Sequence, residues 1–122
     1  MEEKMMPLQG VKVVELATVV AAPTTARMLC AYGAEVIKIE TLDGDVMRVA
    51  GTHEMTPYED DLNPIFTIHN SNKKFISLNI KTEKGKKILL DLVRDADERA
   101  VNSRLVHDLR FEVHKAASVQ QA

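Results

Sequence analysis

The chain has 122 residues, 45% of them hydrophobic and 28% charged, with a formal net charge of −2, which describes one globular domain at most and not a disordered tail. A pI near 6.1 gives no basic field for nucleic acid, and no apolar run approaches the roughly 18 residues that cross a bilayer, so neither nucleic acid nor membrane is expected as a partner. The lone Cys30 excludes an internal disulfide framework, and Met1-Glu2-Glu3-Lys4 leads to no signal-peptide core, so the expected location is the cytoplasm.

Taken in chain order, Val11–Ala17 is β-branched and almost continuously apolar, the pattern of a strand covered on both faces as in parallel sheets. Ala22, Ala26, Leu29, Cys30 and Gly33 then recur at spacings of three and four, which predicts a helix over 21–33. Pro23 suits its first turn and Gly33 its left-handed stop. Glu35–Glu40 is a second strand, so strand, helix and strand fit within about 30 residues, the size of a βαβ unit. Residues 41–62 form a long connection with Asp43-Gly44-Asp45 and Glu59-Asp60-Asp61, the kind of segment that tends to be functional or mobile. Asn63-Pro64 opens a short helix with Asn63 as its N-cap.

Phe75–Ile80 alternates as a half-covered strand. Thr82-Glu83 starts a second strong helix with Ile88, Leu89, Leu92, Val93 and Ala96 as its buried stripe, and with Glu83–Lys87 and Lys87–Asp91 pairs on its outer face. The fold class is therefore α/β: an incomplete Rossmann-like open sheet with mostly parallel strands and flanking helices. After Asp97 the pattern changes. Glu98-Arg99 places two charges where the next buried strand belongs, and Val101, Leu105, Leu109 and Val113 space as a loosely amphipathic helix, although Leu109–Val113 also alternates as a strand. Residues 98–122 are accordingly expected to be a divergent, helical tail beyond an N-terminal part at 1–97.

Three constellations carry potential chemistry. The strand-to-helix turn Ala17–Pro23 is made of small residues at a helix start, on the strand edge where open α/β sheets bind ligands; close packing of alanines accounts for it equally well. No GxGxxG or GxxxxGK[ST] is present, so neither a dinucleotide fingerprint nor a P-loop is supported. Lys73, Lys74, Lys81, Lys84, Lys86 and Lys87 could hold phosphates, or form a solvated face. The loop carboxylates Asp43, Asp45, Glu59, Asp60 and Asp61 could do acid–base or nucleophilic work in a closed pocket that raised their pKa values, but at this density they are more often exposed, and Asp43-Gly44-Asp45 is sufficient as a turn former. His53, His69, His107 and His114 show no ligand spacing, so no metal site is expected, and Cys30 on the apolar helix face reads as a buried, inert thiol.

Six segments in order resemble the N-terminal part of the family III CoA-transferases, the formyl-CoA transferase and carnitine CoA-transferase group. They are Pro7–Leu16, Ala22-Pro23, Gly33–Glu40, Gly44-Asp45 with Arg48, Asn70–Lys74, and Leu78–Gly85, and they span about three quarters of the chain. Asn72-Lys73-Lys74 and Glu83–Lys87 look most like the clostridial branch, whose members exchange CoA among 2-hydroxy acids in anaerobic amino-acid fermentation.

The resemblance implies a transferase that moves CoA between carboxylic acids through an aspartyl-CoA intermediate, with coenzyme A or acyl-CoA as substrate, a small carboxylic acid as its partner, and no covalently bound cofactor. Val20 and Ala21 match the turn that contacts CoA, and Val20 stands where formyl-CoA transferase has Gln, which implies a bulkier and more apolar substrate. Leu78, Asn79, Ile80 and Lys81 match the segment that contacts the CoA nucleotide, and Asn102, with Arg104 two residues on, falls in register with a further contact. No Asp matches the context of the family's nucleophile, so no catalytic residue is assigned. The expectation is a chain truncated before that nucleophile, its tail native or the product of a frameshift, and a homo-oligomer if folded. The alternatives are a non-catalytic CoA-binding or interaction protein and an inactive remnant.

Overall fold

The computed structural model describes residues 5–51 and 63–101. Lys12–Leu16 (β1), Glu35–Glu40 (β2), Lys74–Ser77 (β3) and Glu98–Val101 (β4) form one sheet in the order β3-β2-β1-β4, every pair parallel. The helices are Ala21–Ala31 (α1), Pro64–Asn70 (α2) and Glu83–Arg94 (α3), with a 3-10 turn at Val46–Arg48.

Because side chains alternate along each strand, β1 sends Val13 to one face and Val14 to the other. Val13 and Val36 pack with Ala26 of α1 and with Ala34, and all four are buried. Val14 and Ile39 pack with Leu89 of α3 on the opposite face, flanked by Leu16, Ile76, Leu78 and Ile80. The central strands are thus covered on both sides, as their apolar runs require. Pro23 lies in the first turn of α1, and Gly33 closes it at φ 101°, its N–H donating to the Cys30 carbonyl at 2.9 Å. A Cβ at Gly33 would run into Met6, so the N-terminal segment packs directly on this stop.

Several sequence expectations need correction. β3 ends at Ser77 rather than Ile80: Leu78 N–H still donates to Glu40 O at 2.9 Å, after which Asn79 starts a turn. That turn is self-contained, since Asn79 Oδ1 accepts from Lys81 N–H and the Asn79 carbonyl accepts from the Thr82 hydroxyl. Ile88 lies toward solvent rather than in the buried stripe, and Glu83 pairs with Lys86 instead of Lys87, while the Lys87–Asp91 pair forms at 2.6 Å. Glu98–Val101 is a strand beside β1 and not the start of a helix, because Asp97 N–H donates to Lys12 O and the parallel ladder continues through Leu16↔Val101. Backbone pairing, which is indifferent to side-chain charge, decided that element. The rest of the expected tail, with Asn102 and Arg104, lies outside the described residues, as do His53, His107, His114 and the Glu59-Asp60-Asp61 run.

Thr82 caps α3 by accepting from Gly85 N–H at 3.0 Å, which draws the first turn of the helix onto the Asn79 carbonyl. A Cβ on Gly85 would collide with that carbonyl oxygen. Helix propensity alone predicts that Gly85→Ala gains about 1 kcal/mol, whereas the collision predicts a loss of about 1–3 kcal/mol. Urea unfolding of G85A should show the loss; an unchanged or raised midpoint would refute this packing.

Candidate functional site

The carboxyl ends of β1 and β2 and the segment following β3 enclose a cleft of about 300 Å³. Leu16, Ala17, Thr18 and Val19 form one wall; Ile39, Glu40, Thr41, Gly44 and Asp45 form the next; Leu78 and Ile80 close it. This is the position where open α/β sheets take ligands, because strand ends and helix starts converge there with backbone groups still free to bond. Val19 stands in this wall at φ 71°, a left-handed backbone that a β-branched residue rarely adopts. Val20 and Ala21, next along the chain, are exposed at the start of α1, where no side chain caps the helix and no acidic residue occupies the first turn. Leu78 and Ile80 contribute side chains to the cleft, whereas Asn79 and Lys81 are exposed on the turn leading to α3.

Beneath the cleft, on the α1 face of the sheet, lies a row of four buried charges. Glu15 and Lys38 are register partners on β1 and β2. Lys38 Nζ lies 2.9 Å from Glu15 Oε1 and 3.0 Å from Asp45 Oδ2, and Lys73 Nζ lies 2.7 Å from Glu15 Oε2. All four side chains have 0% exposure, so the sequence +−+− of Lys73, Glu15, Lys38 and Asp45 is a neutral unit shut off from water. Glu15 Oε2 and Asp45 Oδ2 meet their lysines at ion-pair distance but off the hydrogen-bonding angle. The ammonium groups find further acceptors: Lys38 donates to Ala17 O at 2.6 Å, and Lys73 to Pro23 O and Asn70 Oδ1, each at 2.8 Å. Burial pulls the Lys73 ammonium below the ordinary lysine pKa, against the opposing attraction of Glu15.

Glu40 anchors the neighbouring wall. Arg48 grips its carboxylate through Nε and a terminal amine, both at 2.8 Å, and Asp45 N–H donates to Oε2 at 2.9 Å. The Arg48 guanidinium lies 4.0 Å from the Phe66 ring centroid, which fixes its plane by a cation–π contact. Buried Asn63 accepts from Ile65 N–H as the N-cap of α2, and its amide also donates to the carbonyls of Arg48 and Ala50. α2 is thereby tied to the loop that supplies Asp45 and Arg48.

The lysine group, open to reading as a phosphate holder or a solvated face, is divided. Lys73 is buried in the charge row, Lys74 pairs with Glu35, Lys86 and Lys87 pair along α3, and Lys81 and Lys84 are exposed. Asp45 is a buried ion-pair partner rather than a solvated turn former; Asp43 is exposed. Cys30 is only half-buried, its thiol pKa raised by burial. His69 Nδ1 bonds the Thr24 hydroxyl at 2.9 Å, and among the described residues no cluster has the makings of a metal site.

Residues 8–110 match CoA-transferase family III. The chain belongs to this family. It is 49% identical over 100 residues to an (R)-2-hydroxy-4-methylpentanoate CoA-transferase of Clostridioides difficile, covering 82% of the chain and 25% of that relative. It is 44% identical over 104 residues to a cinnamoyl-CoA:phenyllactate CoA-transferase of Clostridium sporogenes, covering 85% of the chain and 25% of the relative. A crystal structure of a CaiB/BaiF family protein from Brucella suis superposes with a TM-score of 0.71 at 35% identity, over 84% of this chain and 27% of that one. The chain thus spans about a quarter of the length of the relatives it matches. No helix among the described residues is long and apolar enough to cross a membrane.

Burial alone would raise the Glu40 pKa, but the hydrogen bonds from Arg48 and Asp45 N–H, with the charges of Arg48 and Lys38, outweigh it and hold the carboxyl below its ordinary 4.5. A depressed folded-state pKa adds stability above the unfolded value that is lost as pH falls through the folded one. The stability difference between the wild type and Glu40→Gln should therefore shrink as pH is lowered from about 6 to about 3, as read by denaturant melts at each pH. A difference constant across that range would contradict the assignment.

Proposed function

We propose that this segment supplies one side of a coenzyme A site in a transferase that moves CoA between carboxylic acids. The observation that carries the proposal is the cleft at the carboxyl ends of β1 and β2, between the β1–α1 turn and the loop before α3. The family's CoA-contacting segments, by resemblance, fall on this turn and this loop. Val20 and Ala21 would present backbone N–H groups at the uncapped start of α1, Leu78 and Ile80 apolar surface, and Asn79 and Lys81 polar contacts to the nucleotide. Asn102 belongs to the same proposed set through the resemblance alone. The two named clostridial relatives, together with Val20 in place of an amide side chain, support 2-hydroxy acids as the acids exchanged.

By resemblance the reaction is a double displacement. An aspartate carboxylate attacks the acyl-CoA carbonyl, expelling CoA thiolate and leaving a mixed anhydride. The thiolate then attacks the aspartyl carbonyl and releases the first acid as its carboxylate, and the acceptor acid repeats these steps in reverse. Neither carboxylate lining the cleft suits the nucleophile's part. Glu40 is held by Arg48 and Asp45 by Lys38, so each carboxylate is already engaged by a cation and is not free to attack. The role assigned to this segment is therefore binding, with no catalytic residue among those described.

Isothermal titration of the 122-residue chain with CoA tests the proposal. Binding with a Kd between roughly 10 μM and 1 mM, weakened severalfold by Lys81→Ala, is the expected result. Absence of heat at millimolar CoA would overturn it.

A further inference from the structure

The two buried lysines do more than neutralise Glu15. Lys38 Nζ ends on the Ala17 carbonyl and Lys73 Nζ on the Pro23 carbonyl. These acceptors flank residues 18–22, the turn that joins β1 to α1 together with the first two residues of the helix, and Val19 within that turn stands at φ 71°. A non-glycine residue kept in a sparsely populated backbone region costs about 1–3 kcal/mol and persists only where its surroundings over-determine it. Here the surroundings are two ammonium groups reaching the two ends of the turn from β2 and from the residue preceding β3. One carboxylate, Glu15, holds both.

We propose that Lys38 and Lys73, bridged by Glu15, are positioning residues that clamp the β1–α1 turn at both ends and fix its backbone in the shape it presents to the cleft. The chain of contacts continues to the opposite wall. Lys38 also pairs with Asp45, and Ala17, Thr18, Val19 and Asp45 all line the cleft. Lys38 therefore sets the first and second walls against each other. Asn70 Oδ1 shares Lys73 with Pro23, and the Asn70 amide donates to Phe66 O, so α2 holds the head of Lys73 in line. Net stability is a poor explanation for the arrangement, since well-packed apolar side chains of similar volume commonly stabilise as well as a buried ion pair. Apolar side chains could not, however, direct donors at two chosen carbonyls.

The clamp rests on the CoA site only for its effect on affinity, and its test separates the two. In the unaltered 122-residue chain, NMR should show two slowly exchanging lysine ammonium resonances with through-bond couplings to the carbonyl carbons of Ala17 and Pro23. Couplings and backbone shifts of Val19 should report a positive φ. In Lys73→Met, Val19 should average into negative φ within the folded fraction and CoA affinity should fall roughly tenfold, over and above any loss of global stability.

A merely structural lysine would leave Val19 φ positive in the folded fraction, which would overturn the clamp. If K73M does not fold, the couplings in the unaltered chain decide, and their absence overturns the proposal. If the unaltered chain binds no CoA, the proposed function falls and the Val19 and ammonium readouts still judge the clamp.

Discussion

The row Lys73–Glu15–Lys38–Asp45 determines much of what the rest of the structure can be. Four ionised groups with no exposed side-chain surface are tolerable only as a neutral, closely spaced set, because an unpaired charge in that place is expensive to desolvate. Neutrality requires that β1, β2, the start of β3 and the loop after β2 all arrive in one register. A slip of one residue between β1 and β2 would carry Glu15 or Lys38 to the opposite face, among Val14, Ile39 and Leu89. The charges therefore specify the strand order and register, whereas the apolar residues on either side would accept several.

The same row explains how a small segment keeps a cleft. At the carboxyl edge of the sheet, the β1–α1 turn and the Asp45 loop both leave the regular ladder. Each is fastened to the sheet interior by a charged group: the turn through Lys38 and Lys73, the loop through Asp45 and through the Glu40–Arg48 grip. Apolar side chains of the α3-side core, Leu16, Ile39, Leu78 and Ile80, then floor the space between them.

Much of the architecture was legible in the sequence. The alternation of strand and helix patterns, the stop at Gly33, the cap at Asn63 and the start of α3 at Thr82 are local signals, written in residues that act within a few positions of themselves. The charge row was not legible, because its members come from four separate segments and each has an innocuous local explanation: Lys73 as one of several lysines, Asp45 as a turn former. One signal was available. A strand covered on both faces has no solvent-facing side, so Glu15 and Lys38 inside β1 and β2 had to be buried and therefore paired. β4 is hidden for the opposite reason. Its adjacent charges obscured a strand whose pairing with β1 is made by backbone.

The central claim, that the buried charges act as one neutral unit, is tested most directly by a double-mutant cycle on Glu15→Gln and Lys73→Met. Each single change leaves a net charge in the buried row, positive for E15Q and negative for K73M, whereas the double variant leaves the neutral Lys38–Asp45 pair. Denaturant unfolding should find the double variant less destabilised than the sum of the singles, with a coupling of about 1–3 kcal/mol. Strictly additive effects would show that the four groups are buried side by side without depending on one another, and would contradict the account.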